Sequence, residues 1–341
     1  MTRVSTFKER IQKENIHLIP LTKFRRRLQS PVKELLSFYE ILKIYQKIKP
    51  DIIHQVAFKP VILGTVAARI AGIRRIIDAF AGMGFLFTSE NKKKAIFKRL
   101  VFFFLRRIFD TERVYLIFQN AEDLNLMISE RIISQDQAEI IKGSGVNLKA
   151  FHKSNEPPEP PIVLLPSRML WDKGVGEFVQ AAKIINSNGL RARFVLVGAP
   201  DPENPASIPT QKLKEWHTSK IVEWWGQQDD MPTIYDRAHI VCLPSYREGL
   251  PKVLLEAGAS GKPVVTANTT GCRDIIKDGK NGFLVEPLNP DELANAIKKL
   301  LDDAELRKTM GMRAMQIVEE EFSEEKIVNH TLSLYNKILK R

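Results

Sequence analysis

At 341 residues, with 44 % hydrophobic and 27 % charged positions, the chain has the length of two ordinary domains and a globular composition, which excludes a disordered or fibrous protein. Its longest apolar cluster, residues 100–105, is bounded by Arg99 and Arg106 and falls short of the roughly 18–20 residues that cross a bilayer; residues 1–10 are charged and lack a signal-peptide core; and Cys242 and Cys272 make no disulfide framework, so a reducing cytosol is the expected compartment. The net charge of +12 is concentrated in residues 1–150, where 27 Lys and Arg face 14 Asp and Glu, and this favours an anionic partner for that half, lipid or nucleic acid, over a merely solvated basic face.

Residues 16–20 read as a strand. Ser30-Pro31 opens a helix over 31–49, followed by a strand at 51–54 and a helix over 60–71 that Gly72 ends. Strands are expected at 75–78 and 114–118. Between them, residues 92–109 mix Lys92, Lys93, Lys94, Lys98, Arg99, Arg106 and Arg107 with large apolar side chains. That is the composition of an interfacial helix on anionic lipid, with a core helix bearing basic flanks as the alternative. Asn120 caps a helix whose Ala-Glu-Asp start suits the positive end of the helix dipole, and 139–142 is the last strand of this half. Residues 154–161 hold four prolines and no apolar face, as a linker does.

Beyond the linker, strands are expected at 162–167, 193–197, 221–225, 239–243, 263–267 and 282–285. Helices are expected at 175–185, 231–237, 251–260 and 290–301, and a long last helix at 323–340. Repeated strand–helix units with apolar strands predict parallel sheets covered on both faces, and ligands then bind beyond the carboxyl ends of the strands.

Four segments could carry chemistry. SRMLWDKG (167–174) follows a strand, and its Arg168 and Lys173 offer a fork-shaped guanidinium and a point-charge ammonium suited to a diphosphate. PSYREGLPKVLLE (244–256) places Glu248 in a loop and Glu256 in the next helix, two carboxylates able to accept hydrogen bonds from sugar hydroxyls. Its glycine lets a ligand approach the backbone, and the helix start offers N–H groups to an anion. Segments 268–285 and 141–147 read as glycine-rich turns.

In this order the segments resemble the family-4 group of retaining glycosyltransferases with the GT-B fold, closest to members that build bacterial capsule, O-antigen and lipid-linked oligosaccharides. SRMLWDKG (167–174), EGLPKVLLEAGASGKPVV (248–265) and GCRDIIKDGKNGFLVEP (271–287) carry the resemblance over residues 16–341, supported by PDIIHQVAFKP (50–60) and GSGVN (143–147). It implies an α/β fold of two Rossmann-like domains facing a cleft. The expected divisions are an acceptor-side domain at 1–153, the linker at 154–161, a nucleotide-sugar domain at 162–322, and a helix at 323–341 returning to the first domain. Relatives open with a strand, a glycine-rich loop, a helix and a second strand that have no counterpart here, so the first domain is expected to be incomplete.

The resemblance also implies roles. Arg168 and Lys173 would hold the donor diphosphate, Glu256 the ribose hydroxyls and Glu248 the transferred sugar. The backbone of Gly249 and Leu250 would approach sugar and diphosphate, while Gly198 and the Trp225-Gly226 turn would shape the base pocket. With no Asp-x-Asp sequence, no metal or other cofactor is expected. Many relatives carry a histidine after the strand matching 75–78; residues 78–84 have none, and His54 is either a cleft-facing candidate or a structural strand-end residue. The implied reaction moves a hexose or N-acetylhexosamine from a UDP-sugar to an undecaprenyl-diphosphate-linked sugar. It would take place on the anionic inner face of the plasma membrane, with the enzyme in the cytoplasm, and nucleic acid is not expected as a partner. The competing readings are a non-catalytic nucleotide-sugar-binding subunit or a truncated, inactive transferase, and another GT-B reaction, epimerisation or phosphorolysis, against which the Glu248 and Glu256 pair argues.

Overall fold

The computed structural model describes residues 11, 13–25, 30–82, 92–109, 111–154, 156–187, 189 and 191–340, with only the backbone of 92–98. Two compact units are present: Met1–Ile140 with Asn336–Arg341, and Ile141–Tyr335.

In the first unit, β1 (Ile53–Val56), β2 (Ile76–Phe80), β3 (Val114–Phe118) and β4 (Ala138–Ile140) form a parallel sheet in the order β1-β2-β3-β4. Every residue of β3 is buried, as a central parallel strand requires. Phe80 stacks on Phe118, with centroids 5.5 Å apart, and meets Phe109 edge-on at 6.0 Å. The helices are α1 (Pro31–Ile48), α2 (Phe58–Ile70), α3 (Lys92–Phe109) and α4 (Ala121–Ser129). Pro31 starts α1, and Lys49 ends it in the left-handed region at φ 48°. Asn120 caps α4 by accepting from the Asp123 N–H at 2.8 Å.

Two expectations for this half are corrected. Residues 16–20 form no strand. Pro20 lacks a donor, and the chain instead buries Leu21 and Phe24 in the core while the Glu40 carboxylate takes the N–H groups of Thr22 and Lys23. Asp78, expected at a strand end, lies in the middle of β2 and is fully buried. The Thr65 hydroxyl donates to its Oδ2 at 2.6 Å and the Gln55 amide to its Oδ1 at 2.8 Å, and Tyr45 donates to Gln55. Among the described residues no cation pairs with it, and burial pushes its pKa up to about 7.

In the second unit, β5 (Ile162–Pro166), β6 (Arg193–Val197), β7 (Glu223–Trp224), β8 (Ile240–Leu243), β9 (Val264–Ala267) and β10 (Gly282–Val285) form a parallel sheet in the order β10-β9-β8-β5-β6-β7. The strand pleat divides the core. Val163 and Leu165 join one apolar cluster, and Ile162 and Leu164 the other on the opposite face. The helices are α5 (Val175–Ser187), α6 (Thr210–Thr218), α7 (Met231–Asp236), α8 (Lys252–Ala259), α9 (Cys272–Ile275), α10 (Pro290–Asp302), α11 (Ala304–Glu321) and α12 (Glu324–Leu339), the last of which belongs to the first unit from Asn336 on. The chain runs outward from β5 through β6 to β7, then returns to β8 and runs the other way. The boundary between β5 and β8 is therefore the topological switch point of the sheet, where the loops beyond the two strands diverge and leave a crevice.

Candidate functional site

Both carboxylate- and cation-bearing segments flank this switch point, one after β5 and the other after β8. The β5 loop ends in a 3-10 turn, Trp171–Lys173, followed by Gly174 at φ 72°. A Cβ on Gly174 would stand 2.1 Å from the Pro244 carbonyl oxygen. Only glycine combines this left-handed backbone with so close an approach. The loops are further laced by the Asp172 carbonyl, which accepts from the Tyr246 N–H at 3.0 Å and the Ser245 hydroxyl at 3.2 Å. The Tyr246 hydroxyl donates to Glu177 at the start of α5, at 2.8 Å.

This lacing brings Lys173 against Glu248. Their Nζ–Oε1 distance is 2.5 Å, with side chains 18 % and 13 % exposed, so the pair is largely removed from water. Arg168 lies on the same β5 loop but reaches the loop after β6, where Asp201 accepts from its Nη1 at 2.7 Å. Glu256 faces α7: the Tyr235 hydroxyl donates to its Oε2 at 3.0 Å, and Lys252 lies 3.9 Å from Oε1. Burial raises the Glu256 pKa, with the Tyr235 bond and Lys252 opposing. The four residues thus surround one end of one sheet, but the only direct bond among them joins Lys173 to Glu248.

Gly249 and Leu250 are held from two sides. A Cβ on Gly271, at φ 78°, would lie 2.3 Å from the Gly249 carbonyl oxygen, and one on Gly143 would lie 2.9 Å from Leu250 Cδ2. The glycine-rich segments 141–147 and 268–285 are therefore close-approach positions for the Glu248 loop as well as turns. Gly198 ends β6 at φ 138°, pressed on the Ser167 carbonyl, and its N–H donates to Gly226 O at 2.7 Å. Trp225 lies under the Arg237 guanidinium, 4.0 Å from its ring centroid, and donates to Glu223. It is Trp224, one residue earlier on the other face of the pleat, whose indole donates to Gly198 O at 2.9 Å. His54 belongs to the first unit, on an outward position of β1 between buried Ile53 and Gln55.

Tyr246, Glu177, Tyr235 and Asp201 were not singled out from sequence. Tyr246 lies inside the singled-out loop, but a tyrosine bond to a carboxylate 69 positions away leaves no mark in spacing. Asp201 and Tyr235 likewise come from other strand–helix units, and proximity to Arg168 and Glu256 is created by the sheet order alone.

The family described as "Glycosyl transferases group 1" matches residues 146–316, and "Glycosyl transferase 4-like" matches residues 2–116. The chain is 29 % identical, over 93 % of its length and 85 % of the relative's, to the N,N'-diacetylbacillosaminyl-diphospho-undecaprenol alpha-1,3-N-acetylgalactosaminyltransferase of Campylobacter jejuni. It is 28 % identical to the UDP-Gal:alpha-D-GlcNAc-diphosphoundecaprenol alpha-1,3-galactosyltransferase of Escherichia coli, over 80 % of this chain and 72 % of that one. Among solved structures, HepE of Anabaena in complex with UDP and glucose superposes with a TM-score of 0.76 at 19 % identity, covering 98 % of this chain and 89 % of the other. That likeness concerns the fold.

Proposed function

From the premise that the chain belongs to the group 1 glycosyl transferases and is a glycosyltransferase of the GT-B fold, we propose that it moves a hexose or N-acetylhexosamine from a UDP-sugar to an undecaprenyl-diphosphate-linked saccharide, with retention of anomeric configuration. The observation that carries the reading is the Lys173–Glu248 pair, held by two laced loops at the switch point of the second sheet. An ammonium and a carboxylate in this position divide the work. Lys173 turns to the donor diphosphate, and Glu248, released from it, accepts from hydroxyls of the sugar. Arg168 leaves Asp201 to share the diphosphate charge. Glu256 accepts from the ribose diol, with Tyr235 fixing its carboxylate. The backbone of Gly249 and Leu250 approaches sugar and diphosphate, and Gly198, Trp225 and Gly226 border the base.

In the transfer step the acceptor hydroxyl oxygen bonds to the anomeric carbon on the face from which the diphosphate departs. The glycosidic bond to phosphate breaks, and the hydroxyl proton passes to the leaving phosphate oxygen. Catalysis then rests on positioning and on stabilising the charge that grows on the leaving group, which Lys173 and Arg168 supply without a metal. His54 is kept as an acceptor-side candidate.

The reading extends to a membrane surface. No helix among the described residues is long and apolar enough to cross a membrane. The α3 helix buries Phe102, Leu105 and Phe109 and leaves Leu100, Phe103 and Phe104 about half exposed. One of its faces therefore lies in the core and the other outward. On α1, Val32, Leu35, Leu36 and Tyr39 form a second exposed stripe at helical spacing. Both helices pack on α2. Apolar stripes among basic residues suit the cytoplasmic leaflet. The deciding experiment incubates the purified chain with UDP-hexoses and UDP-N-acetylhexosamines and a lipid-linked acceptor. Product with the donor's anomeric configuration is expected; release of UDP with no glycosidic product, or an inverted linkage, contradicts the proposal.

A further inference from the structure

The second unit holds a cavity at the opposite end of its sheet. It measures about 320 Å³ and is walled by Lys153 and Ser154, by His239 and Pro263 just before β8 and β9, by Lys262, and by the start of α11 with Arg307. Nothing in the transfer reaction uses it. Its walls are tightly built. Gly261 takes φ 67°, and a Cβ on Gly311 of α11 would stand 2.0 Å from the Gly261 carbonyl oxygen, so helix and turn meet backbone to backbone.

Two largely buried cations line this cavity. Lys262 is 4 % exposed, and among the described residues its ammonium donates to the Ser154 hydroxyl at 3.3 Å, with the carboxylates of Asp236 and Glu156 as nearby charges. Arg307 is 5 % exposed. Its Nε donates to Glu156 at 2.5 Å and its Nη1 to the carbonyls of Leu300 and Leu301, while its Nη2 has no partner among the described residues. His239 is saturated, by contrast. Its Nδ1 accepts from the Ile162 N–H, so its Nε2 carries the proton and faces Pro157 O, and burial lowers its pKa. Ala304 and Glu305, also in the wall, begin the 18-residue helix α11, whose Leu306 N–H is already taken by the N-cap carboxylate of Asp303 at 2.8 Å, so a ligand anion meets the N–H groups of Ala304 and Glu305. Lys153 and Lys308 stand exposed at the rim; the acidic lining groups are Glu156, paired with Arg307, and Glu305, 3.8 Å from Lys308.

The geometry points to this cavity as a binding site for a phosphate group, held by the Lys262 ammonium and the Arg307 Nη2 at the amino end of α11. A tetrahedral dianion supplies enough acceptors for both cations and the helix N–H groups at once. The volume is at the small end of ligand pockets, so the phosphate is either inorganic or carries a small organic remainder. The site is separate from the nucleotide-sugar site and is occupied independently of it.

The test is calorimetry on the full chain with inorganic phosphate and with a hexose phosphate, each in saturating UDP so that the donor site is blocked. Saturable binding that falls by roughly tenfold or more in Lys262→Met supports the site, as expected for loss of a buried cation. Unchanged thermal midpoint and UDP affinity show that the variant is folded. Lys153→Glu with Lys308→Glu, both exposed, provides a second variant and is expected to weaken the same binding. Tighter hexose phosphate identifies a phosphomonoester as ligand, and equal affinities identify free phosphate. Absence of saturable binding by wild type, or equal binding by wild type and Lys262→Met, overturns the proposal.

Discussion

Glu248→Gln separates the two tasks assigned to the Lys173–Glu248 pair. In the structure the ammonium is held by a carboxylate at 2.5 Å in a site less than one-fifth exposed. UDP must compete with that carboxylate for Lys173. Hydrogen bonds to charged groups contribute about 1.5–3 kcal/mol and neutral ones about 0.5–1.5 kcal/mol. Glutamine keeps the shape and a hydrogen bond to the ammonium but removes the opposite charge, so it weakens the hold on Lys173 by about 1–1.5 kcal/mol. UDP, which has no sugar for Glu248 to grip, is therefore expected to bind roughly five- to tenfold more tightly to the variant. The sugar nucleotide loses its Glu248 contact and gains less, so the ratio of UDP-sugar to UDP affinity falls, and turnover falls with it. Titration calorimetry of both ligands on wild type, Glu248→Gln and Lys173→Met completes the comparison. Weaker UDP binding by Glu248→Gln, with Lys173→Met unaffected, would refute the reasoning, because it would mean that the carboxylate and not the ammonium meets the nucleotide.

Gly174→Ala should destabilise the second unit by more than the roughly 1–2 kcal/mol of a left-handed non-glycine residue, since the Pro244 carbonyl must also move from a Cβ 2.1 Å away; a denaturant midpoint equal to wild type would be inconsistent with the laced loops. Asp78 has a folded-state pKa raised from 3.8 to about 7. Its contribution is therefore fully present below about pH 4 and is lost as pH rises through 7, a change on the order of 4 kcal/mol. Asp78→Asn should flatten this part of the stability–pH curve, and an unaltered slope would show that the carboxyl is not the group responsible. Phe103→Ser with Phe104→Ser, both about half exposed on α3, should lower sedimentation with anionic vesicles without shifting the melting temperature; undiminished sedimentation would remove α3 from the membrane face.

Most strands were legible because parallel strands buried on both faces are short apolar runs closed by glycine or proline, as at β6 before Gly198 and β9 after Pro263. Residues 16–20 imitate that signal, but an apolar run acquires ladder bonds only where a partner strand exists, and none lies beside it among the described residues. Helix α11 gave little signal. Its buried face consists of Arg307, Met310, Gly311, Ala314 and Val318, and an arginine and a glycine on that face hide the apolar period. Helix α6 is short and buries only Leu213 and Trp216. At the candidate site the charged residues could be named because their loops follow strands. Their pairings could not, since Arg168 meets Asp201 and Glu256 meets Tyr235 only through the order in which the strands assemble.

The most direct test of the donor-site assignment is a crystal structure of the chain with UDP. The account predicts UDP beyond the carboxyl ends of β5 and β8, its ribose hydroxyls on the Glu256 carboxylate, and Lys173 Nζ moved from Glu248 to a diphosphate oxygen. UDP bound elsewhere, or bound there with the Lys173–Glu248 pair intact and Glu256 still turned to Tyr235 alone, would contradict it.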